Sequence, residues 1–332
     1  MKNSITCTRI IGIIALALTL FSFKCGSPAS NKLPVNALTP VSSILSEKDF
    51  NDLFPLRDKF YSYAAFIKAI REMGYIKIKV EKRSVSIYKI TRTDKRSGIA
   101  KVIRQDDDWN EPWAQKMAYA VANIDFGDFC TEKDISTNKK ELAAFFAHIA
   151  HETRHGQNGQ YNDGLMYTHE LNTTLPYVSD SDDYPPVKGK FYYGRGPLQL
   201  SFNGNYGYAS AFIFGDKNIL LNNPDLVTTD AVVAFKTAIY FWMTPVTTKP
   251  SAHDVMTGKW KPNADDAAKG RTPGFGMTIN IVNGAIECNK GDTGADAGSM
   301  NDRIGYYQHF LKKLGVQDAN CACSCGKMTP YQ

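Results

Sequence analysis

The 332-residue sequence predicts a mainly α-helical domain, α+β in detail, with loops forming a long cleft and a small β-hairpin insert. Three patterns predict this class. Apolar residues recur at helical spacing through Leu142, Phe145, Phe146 and Ile149. Apolar and polar residues alternate from Ile76 to Glu81, the period of a half-buried strand. Residues 157–196 are polar and rich in Gly and Asp, with Pro185-Pro186 and Gly194-Arg195-Gly196-Pro197 as punctuation, which reads as a long loop. A hydrophobic fraction of 43% and a net charge of +6 exclude a disordered chain. The basic excess is too small to argue for nucleic acid, and no nucleic-acid partner is expected.

In chain order, Lys2 and Arg9 flank a polar start, and Ile10 to Phe23 then runs almost wholly apolar for 14 residues. That is short of the ~20 residues a membrane span needs and suits the core of an export signal. Residues 1–29 are therefore expected to be a signal peptide, with Ser27 and Ala29 as the small residues of a cleavage site. Alternatively Cys25 is retained as a lipoprotein cysteine, the only membrane attachment the sequence suggests, although Lys24 departs from the small residue usual before it. Residues 30–45 read as a linker. From Ser46, Phe50, Leu53 and Phe54, then Phe60, Ala64, Ile67 and Ile70, suggest two short amphipathic helices joined through Pro55. The insert at about 76–135 opens with a strand pair. Residues 76–104 hold ten Lys and Arg against two acids, a net +8, so the remainder of the chain is slightly acidic. This reads as a solvated hairpin face or, more sharply, as a patch for an anionic polymer. Asn138 with Glu141 three residues on has the form of a capping box for the helix that follows. Further helices are expected near 202–215, 230–244 and 301–314, and residues 319–332 form a Cys-containing tail.

His151-Glu152-Thr153-Arg154-His155 fits the H-E-x-x-H pattern, in which two His at i, i+4 hold zinc and the Glu activates water. Glu170 would be the third ligand. Two features weigh against it. Gly156 follows at once and ends the helical run, and Arg154 sets a fixed cation where a dication would sit. The same residues also read as half of a carboxylate pair. Glu152 stands at i+3 from Ile149 and i+7 from Phe145, on the apolar stripe, where desolvation favours the protonated state of a general acid. Glu170 sits in a polar loop between Gly164 and Pro176 and is expected to stay ionised as a base. Two carboxyls with opposed environments across a groove are the parts of a glycoside hydrolase. From Phe191 to Ser201 the chain adds Tyr192 and Tyr193, turn glycines, Gln199 and a hydroxyl, with Asn203 and Asn205 following. Amides and hydroxyls bond sugar hydroxyl and acetamide groups, and Tyr rings offer stacking faces.

These stretches resemble those of glycoside hydrolase family 19 chitinases. The matching segments include Phe-Phe-Ala-His-Ile-Ala-His-Glu-Thr (145–153), Tyr-Tyr-Gly-Arg-Gly-Pro-Leu-Gln-Leu-Ser (192–201), Asn-Asn-Pro-Asp-Leu-Val (222–227) and Phe-Lys-Thr-Ala-Ile-Tyr-Phe-Trp-Met-Thr-Pro (235–245). Lys-Pro-Ser-Ala-His-Asp-Val (249–255), Gly-Arg-Thr-Pro-Gly-Phe-Gly (270–276), Ile-Asn-Ile-Val-Asn-Gly-Ala-Ile-Glu-Cys (279–288) and Asp-Arg-Ile-Gly-Tyr-Tyr (302–307) follow in family order. The resemblance implies a lysozyme-like fold over residues 46–318 and an exported, monomeric endochitinase. Such an enzyme cuts β-1,4 bonds between N-acetylglucosamine units with inversion, needs no metal or cofactor, and takes chitin or chito-oligosaccharides as its partner. It implies Glu152 as proton donor, Glu170 as the base for water and Ser201 as a hydroxyl that holds that water. His151, Tyr193, Gln199, Asn205, Lys249 and Asn283 are the expected sugar-contacting residues. Glu287 and Arg303 match a charged network around the acid.

Departures from the resemblance are specific. The insert has no counterpart in the plant members, Gly204 stands where they often carry Tyr, and Arg154-His155 replaces small residues. The Glu152–Glu170 spacing is shorter than theirs, so Asp163, Asp180 and Asp182 are fallback bases. Cys288 suggests a disulfide to the tail, where Cys321, Cys323 and Cys325 compete, with Cys130 free or paired with one of them. No Cys-rich chitin-binding module is expected. A peptidoglycan-cleaving hydrolase of similar fold is the near alternative, a zinc metalloprotease the distant one, and a silent chitin-binding protein the non-enzyme option.

Overall fold

The computed structural model describes residues 39–331 except 85, 86, 155, 157, 158 and 247. The export signal, the Cys25 alternative and most of the linker lie outside the described residues, as does His155. Two short helices, α1 (Glu47–Leu53) and α2 (Tyr63–Met73), begin the described domain. Ser46 caps α1 through a capping box with Asp49, and Ser62 caps α2. The chain then builds a four-stranded antiparallel sheet from β1 (Ile76–Lys82), β2 (Tyr88–Asp94), β3 (Ala100–Gln105) and β4 (Ala120–Asp125), in the order β3-β2-β1-β4. The expected hairpin is thus the centre of a larger sheet. Ile78 stands opposite Arg92 on one side and Ile124 on the other. Ile76, Ile78, Ile90 and Ile124 bury one face against the helical core.

Part of the hairpin's charge is paired with carboxylates. Lys77 and Lys95 reach Asp125 at 3.1 and 2.6 Å, Lys79 reaches Glu81 at 2.9 Å, and Arg96 reaches Asp94 at 2.7 Å. Asp125 lies outside the 76–104 window and offsets one of its eight excess charges. Such exposed pairs are worth ~0–1 kcal/mol each, so they neutralise more than they stabilise.

The next helix, α3 (Ile135–Thr153), runs through the centre of the molecule, and Leu142 to Ala150 are all buried. A helix apolar on all sides can only be a core helix. Its N-cap is Asp134, whose carboxylate accepts from Ser136 and Thr137. The expected capping box at Asn138 and Glu141 is therefore incorrect. Both residues lie inside α3 and serve the tertiary structure. Asn138 bonds both backbone groups of Glu132, and the fully buried Glu141 accepts from Cys130 N–H, Trp242 Nε1 and His253 Nδ1. Phe145 and Phe146 meet Phe50, Phe54, Phe66, Phe310 and Trp242 in an interlocked aromatic core.

Around α3 stand α4 (Asn203–Phe214), the short α5 (Asn218–Asn222) and α6 (Leu226–Thr229), α7 (Ala231–Met243), and the short α8 (Ala252–Met256) and α9 (Ala264–Ala268). Helices α10 (Phe275–Glu287) and α11 (Gly298–Lys313) complete the set. The described residues of the long loop from 154 to 202 form no helix or strand. The C-terminal segment is no loose tail. Cys325 is bonded to Cys288 at the end of α10, and Cys321 is bonded to Cys323. Arg271 donates to the carbonyls of Thr329 and Pro330 and stacks on Tyr331 at 3.6 Å. Cys130 is free and buried.

Candidate active site

Glu152 occupies the last turn of α3, its side chain 19% exposed. Its Oε1 accepts from an Nη of Arg303, which projects from α11 and is fully buried. The same guanidinium binds Glu287 of α10 through Nε (2.9 Å) and Nη2 (2.8 Å), and reaches His148 Nδ1 at 3.1 Å. Three helices thus meet through one cation between two carboxyls. Burial opposes the charge on Arg303, but Glu152 and Glu287 outweigh it and hold the guanidinium protonated far above its ordinary value. Burial also pushes Glu287 upward, and the bonds from Arg303 reverse this and leave its carboxyl below the ordinary 4.5. His148 is fully buried, and desolvation followed by the Arg303 charge drives its titration well down. Its Nε2 lies 2.8 Å from the Thr278 hydroxyl. The environment of Glu152 is therefore a charged network more than an apolar stripe.

A groove of about 370 Å³ opens beside Glu152. Gln199, Ser201, Asn205, Lys249 and Asn283 line it with Glu152, drawn from four separate parts of the chain. The backbone explains how the 199–202 stretch presents itself. Gln199 (φ 49) and Phe202 (φ 67) are both in the left-handed region, which costs non-glycine residues energy that the surrounding structure must supply. Asn205 Nδ2 donates to the Ser201 carbonyl at 2.8 Å. Asn283 breaks the helical pattern of α10 (φ −146, ψ 33) and donates to Glu287 at 2.9 Å, linking the groove wall to the charged network. Lys249 is half-buried, and desolvation, then the Arg271 charge, lowers its titration.

Glu170 approaches from the long loop. Its backbone N–H donates to Gly194 at 2.9 Å, and its Oε2 accepts from Gly194 N–H at 3.2 Å. A Cβ at Gly194 would lie 2.8 Å from Gln199 Oε1 and 3.1 Å from Glu170 Oε2, so the missing side chain lets these two residues share one spot. Glu170 Oε1 is buried and makes no hydrogen bond of good geometry among the described residues, although the Tyr177 hydroxyl lies close enough to the carboxylate to have its titration pushed up by it, after desolvation. Such an atom in a folded protein calls for an explanation.

The remaining expected positions are placed otherwise. His151 faces Asp302 at 2.6 Å, and Arg154 reaches the same carboxylate at 2.8 Å. Tyr193 does not line the groove. The Arg195 guanidinium lies 3.6 Å from its ring centroid, so one ring face is already covered and the expected stacking platform is half used. Asp163 is buried and bonds Gly156 N–H and the Tyr306 hydroxyl, a structural role. Asp180 and Asp182 are exposed and outside the groove. Helix α3 ends at Thr153, and Arg154 is already extended (ψ 157). The sequence reading missed Tyr240, Phe241, Ile281 and Val282, which line the groove. Their apolar character on helices signals core, and nothing local marks them as groove wall.

Comparison with known proteins agrees with this architecture. The profile of glycoside hydrolase family 19, described as "Chitinase class I", matches residues 104–323. The chain belongs to glycoside hydrolase family 19. Within the family it is 47% identical over 203 residues to the endochitinase CH25 of Brassica napus, covering 60% of this chain and 61% of that one. It is 45% identical over 218 residues to the "Inactive chitinase-like protein 1" of Hevea brasiliensis, covering 64% of this chain and 67% of that protein. Among solved structures, chitinase C from Streptomyces griseus superposes with a TM-score of 0.55 at 28% identity, over 85% of this chain and 80% of that one. The family 19 fold is lysozyme-like, mainly helical with a small antiparallel sheet, as the sequence implies. The chain spans about 61% of the length of the Brassica relative. Because a relative of nearly equal identity is named as inactive, activity has to be argued from the side chains.

Proposed function

We propose that this family 19 protein is an exported, monomeric endochitinase that hydrolyses β-1,4 bonds between N-acetylglucosamine units with inversion. The observation that carries the reading is the groove that gathers Glu152, Gln199, Ser201, Asn205, Lys249 and Asn283, with Glu170 reaching the same glycine, Gly194, that Gln199 approaches. Glu152 is the general acid. Arg303 fixes its carboxyl, and Glu287 balances the guanidinium, so that Glu152 can give a proton to the departing glycosidic oxygen and take the resulting charge beside a cation. Glu170 is the base. Gly194 holds one carboxylate oxygen, which leaves Oε1 to accept a proton from the attacking water. The Ser201 hydroxyl helps position that water. Gln199, Asn205, Lys249 and Asn283 supply amide and ammonium donors to sugar hydroxyl and acetamide groups.

The zinc reading loses support because the helix carrying His151 stops two residues before His155. Two disulfides fit an oxidising, extracytoplasmic setting, in keeping with the leader proposed at 1–29. The test is an assay of the mature protein on chito-oligomers, peptidoglycan and a peptide, each with and without chelator. Cleavage of chito-oligomers unaffected by chelator is expected. Cleavage only of peptide, or activity lost with chelator, contradicts the proposal.

A further inference from the structure

A second groove, of about 650 Å³, lies between the inserted sheet and helices α4 and α7. It adjoins the first. Asn205, Tyr240, Thr244 and Val246 line both. Its far wall comes wholly from the insert: Val80 and Lys82 of β1, Tyr88 of β2, Arg104 of β3 and Val121 of β4. The sheet is fastened in place at the C-terminal end of α4, where carbonyls and the helix dipole attract cations. Arg92 donates to the carbonyls of Phe212 (2.9 Å) and Ile213 (3.2 Å), and Lys101 donates to that of Gly215 (2.7 Å). Arg104 is neutralised by Asp106 and Asp183 at 2.8 and 2.9 Å, and Lys82 lies over the Tyr88 ring at 5.9 Å. The opposite wall carries Tyr184, Tyr208 and Tyr240, with neighbouring ring centroids 5.6 and 6.5 Å apart. A trench whose Arg104 is paired and whose wall is built on buried tyrosines suits an uncharged chain, whose hydroxyls meet polar edges and whose CH groups meet apolar ones.

We propose that the inserted sheet extends the substrate groove, so that one chitin chain runs from Glu152 past Asn205 into the trench between the sheet and α4–α7. The inference rests on the function proposed above and adds binding sites supplied by this chain's own insert. Gly204 fits the role. It stands at the junction on α4, where an added Cβ meets nothing within 4 Å, leaving the passage open.

The test compares kcat/KM for a chito-octamer with that for a chito-tetramer in the wild type, Val121→Trp and Gly204→Trp. Val121 is 43% exposed, and Gly204 has open space, so either indole can fill the trench without disturbing the core. The wild type is expected to prefer the octamer by about tenfold or more, and each variant to lose most of that preference. Equal use of both oligomers by the wild type, or a preference that survives in both variants, overturns the extension. Calorimetric titration of octamer into Glu152→Gln, with and without Val121→Trp, separates this idea from the catalytic one. If no oligomer is cleaved yet Val121→Trp weakens octamer binding about tenfold, the chemistry is wrong and the extended groove stands. If cleavage proceeds and binding is unchanged by Val121→Trp, the extended groove is wrong and the chemistry stands.

Discussion

Glu152→Gln is expected to lower kcat on chito-oligomers by about 10²–10⁴-fold, the usual worth of a positioned acid or base, with little change in KM or in melting temperature. The amide keeps the shape of the carboxyl and an oxygen for the Arg303 bond, so the three-helix junction survives. What the variant lacks is a proton that can be given up. A leaving alkoxide then has no donor, because Glu287, the other carboxyl at the guanidinium, is itself bound through both oxygens by Arg303. Kinetics on a defined oligomer, together with a thermal melt, separate the outcomes. A loss of activity with an equal loss of stability would mean that Glu152 is structural. Activity within a few-fold of wild type would remove it as the acid.

The second large effect falls on Arg303. Arg303→Met removes a fully buried cation from between two carboxyls, and breaking such a pair costs about 3–5 kcal/mol because a buried charge is left uncompensated. The pH dependence is specific. Glu287 is held below its ordinary 4.5, so the stability its pairing contributes is complete above about pH 4.5 and fades as pH falls through the lower folded value. In the variant, burial acts on Glu287 without Arg303 to oppose it, and the carboxyl takes up a proton more readily. Urea unfolding should therefore show the full gap between wild type and variant at pH 7 and a smaller gap at pH 4. A gap that does not change with pH would show that Arg303 stabilises by packing and not by pairing.

The parts of the fold that could be read from the sequence are those where local pattern and tertiary role agree. Leu142, Phe145, Phe146 and Ile149 mark α3 because they recur at helical spacing inside its buried stretch. β1 shows itself by Ile76 and Ile78 alternating with exposed lysines. β3 and β4 do not, because nearly all of their residues are at least partly exposed and no inside–outside alternation is written into them. The Asn138–Glu141 pair misleads because its side chains are spent on Glu132, Cys130, Trp242 and His253, partners that only the folded chain supplies. The choice of Cys325 for Cys288 likewise depends on how residues 319–331 lie against α10. Of the residues expected from motif resemblance, Glu152, Gln199, Ser201, Asn205, Lys249 and Asn283 line one groove, whereas Glu170, His151 and Tyr193 are not among its lining residues. The trench under the sheet left no sequence signal, since its walls come from six elements spread between Val80 and Val246.

Proton NMR of the first products released from chito-hexamer bears most directly on the two-carboxyl account. If Glu152 protonates the leaving oxygen while Glu170 draws a water to the opposite face of the sugar, the new reducing ends must appear as the α-anomer before mutarotation. Early accumulation of the β-anomer would mean retention, and would contradict the assignment of Glu170 as the base.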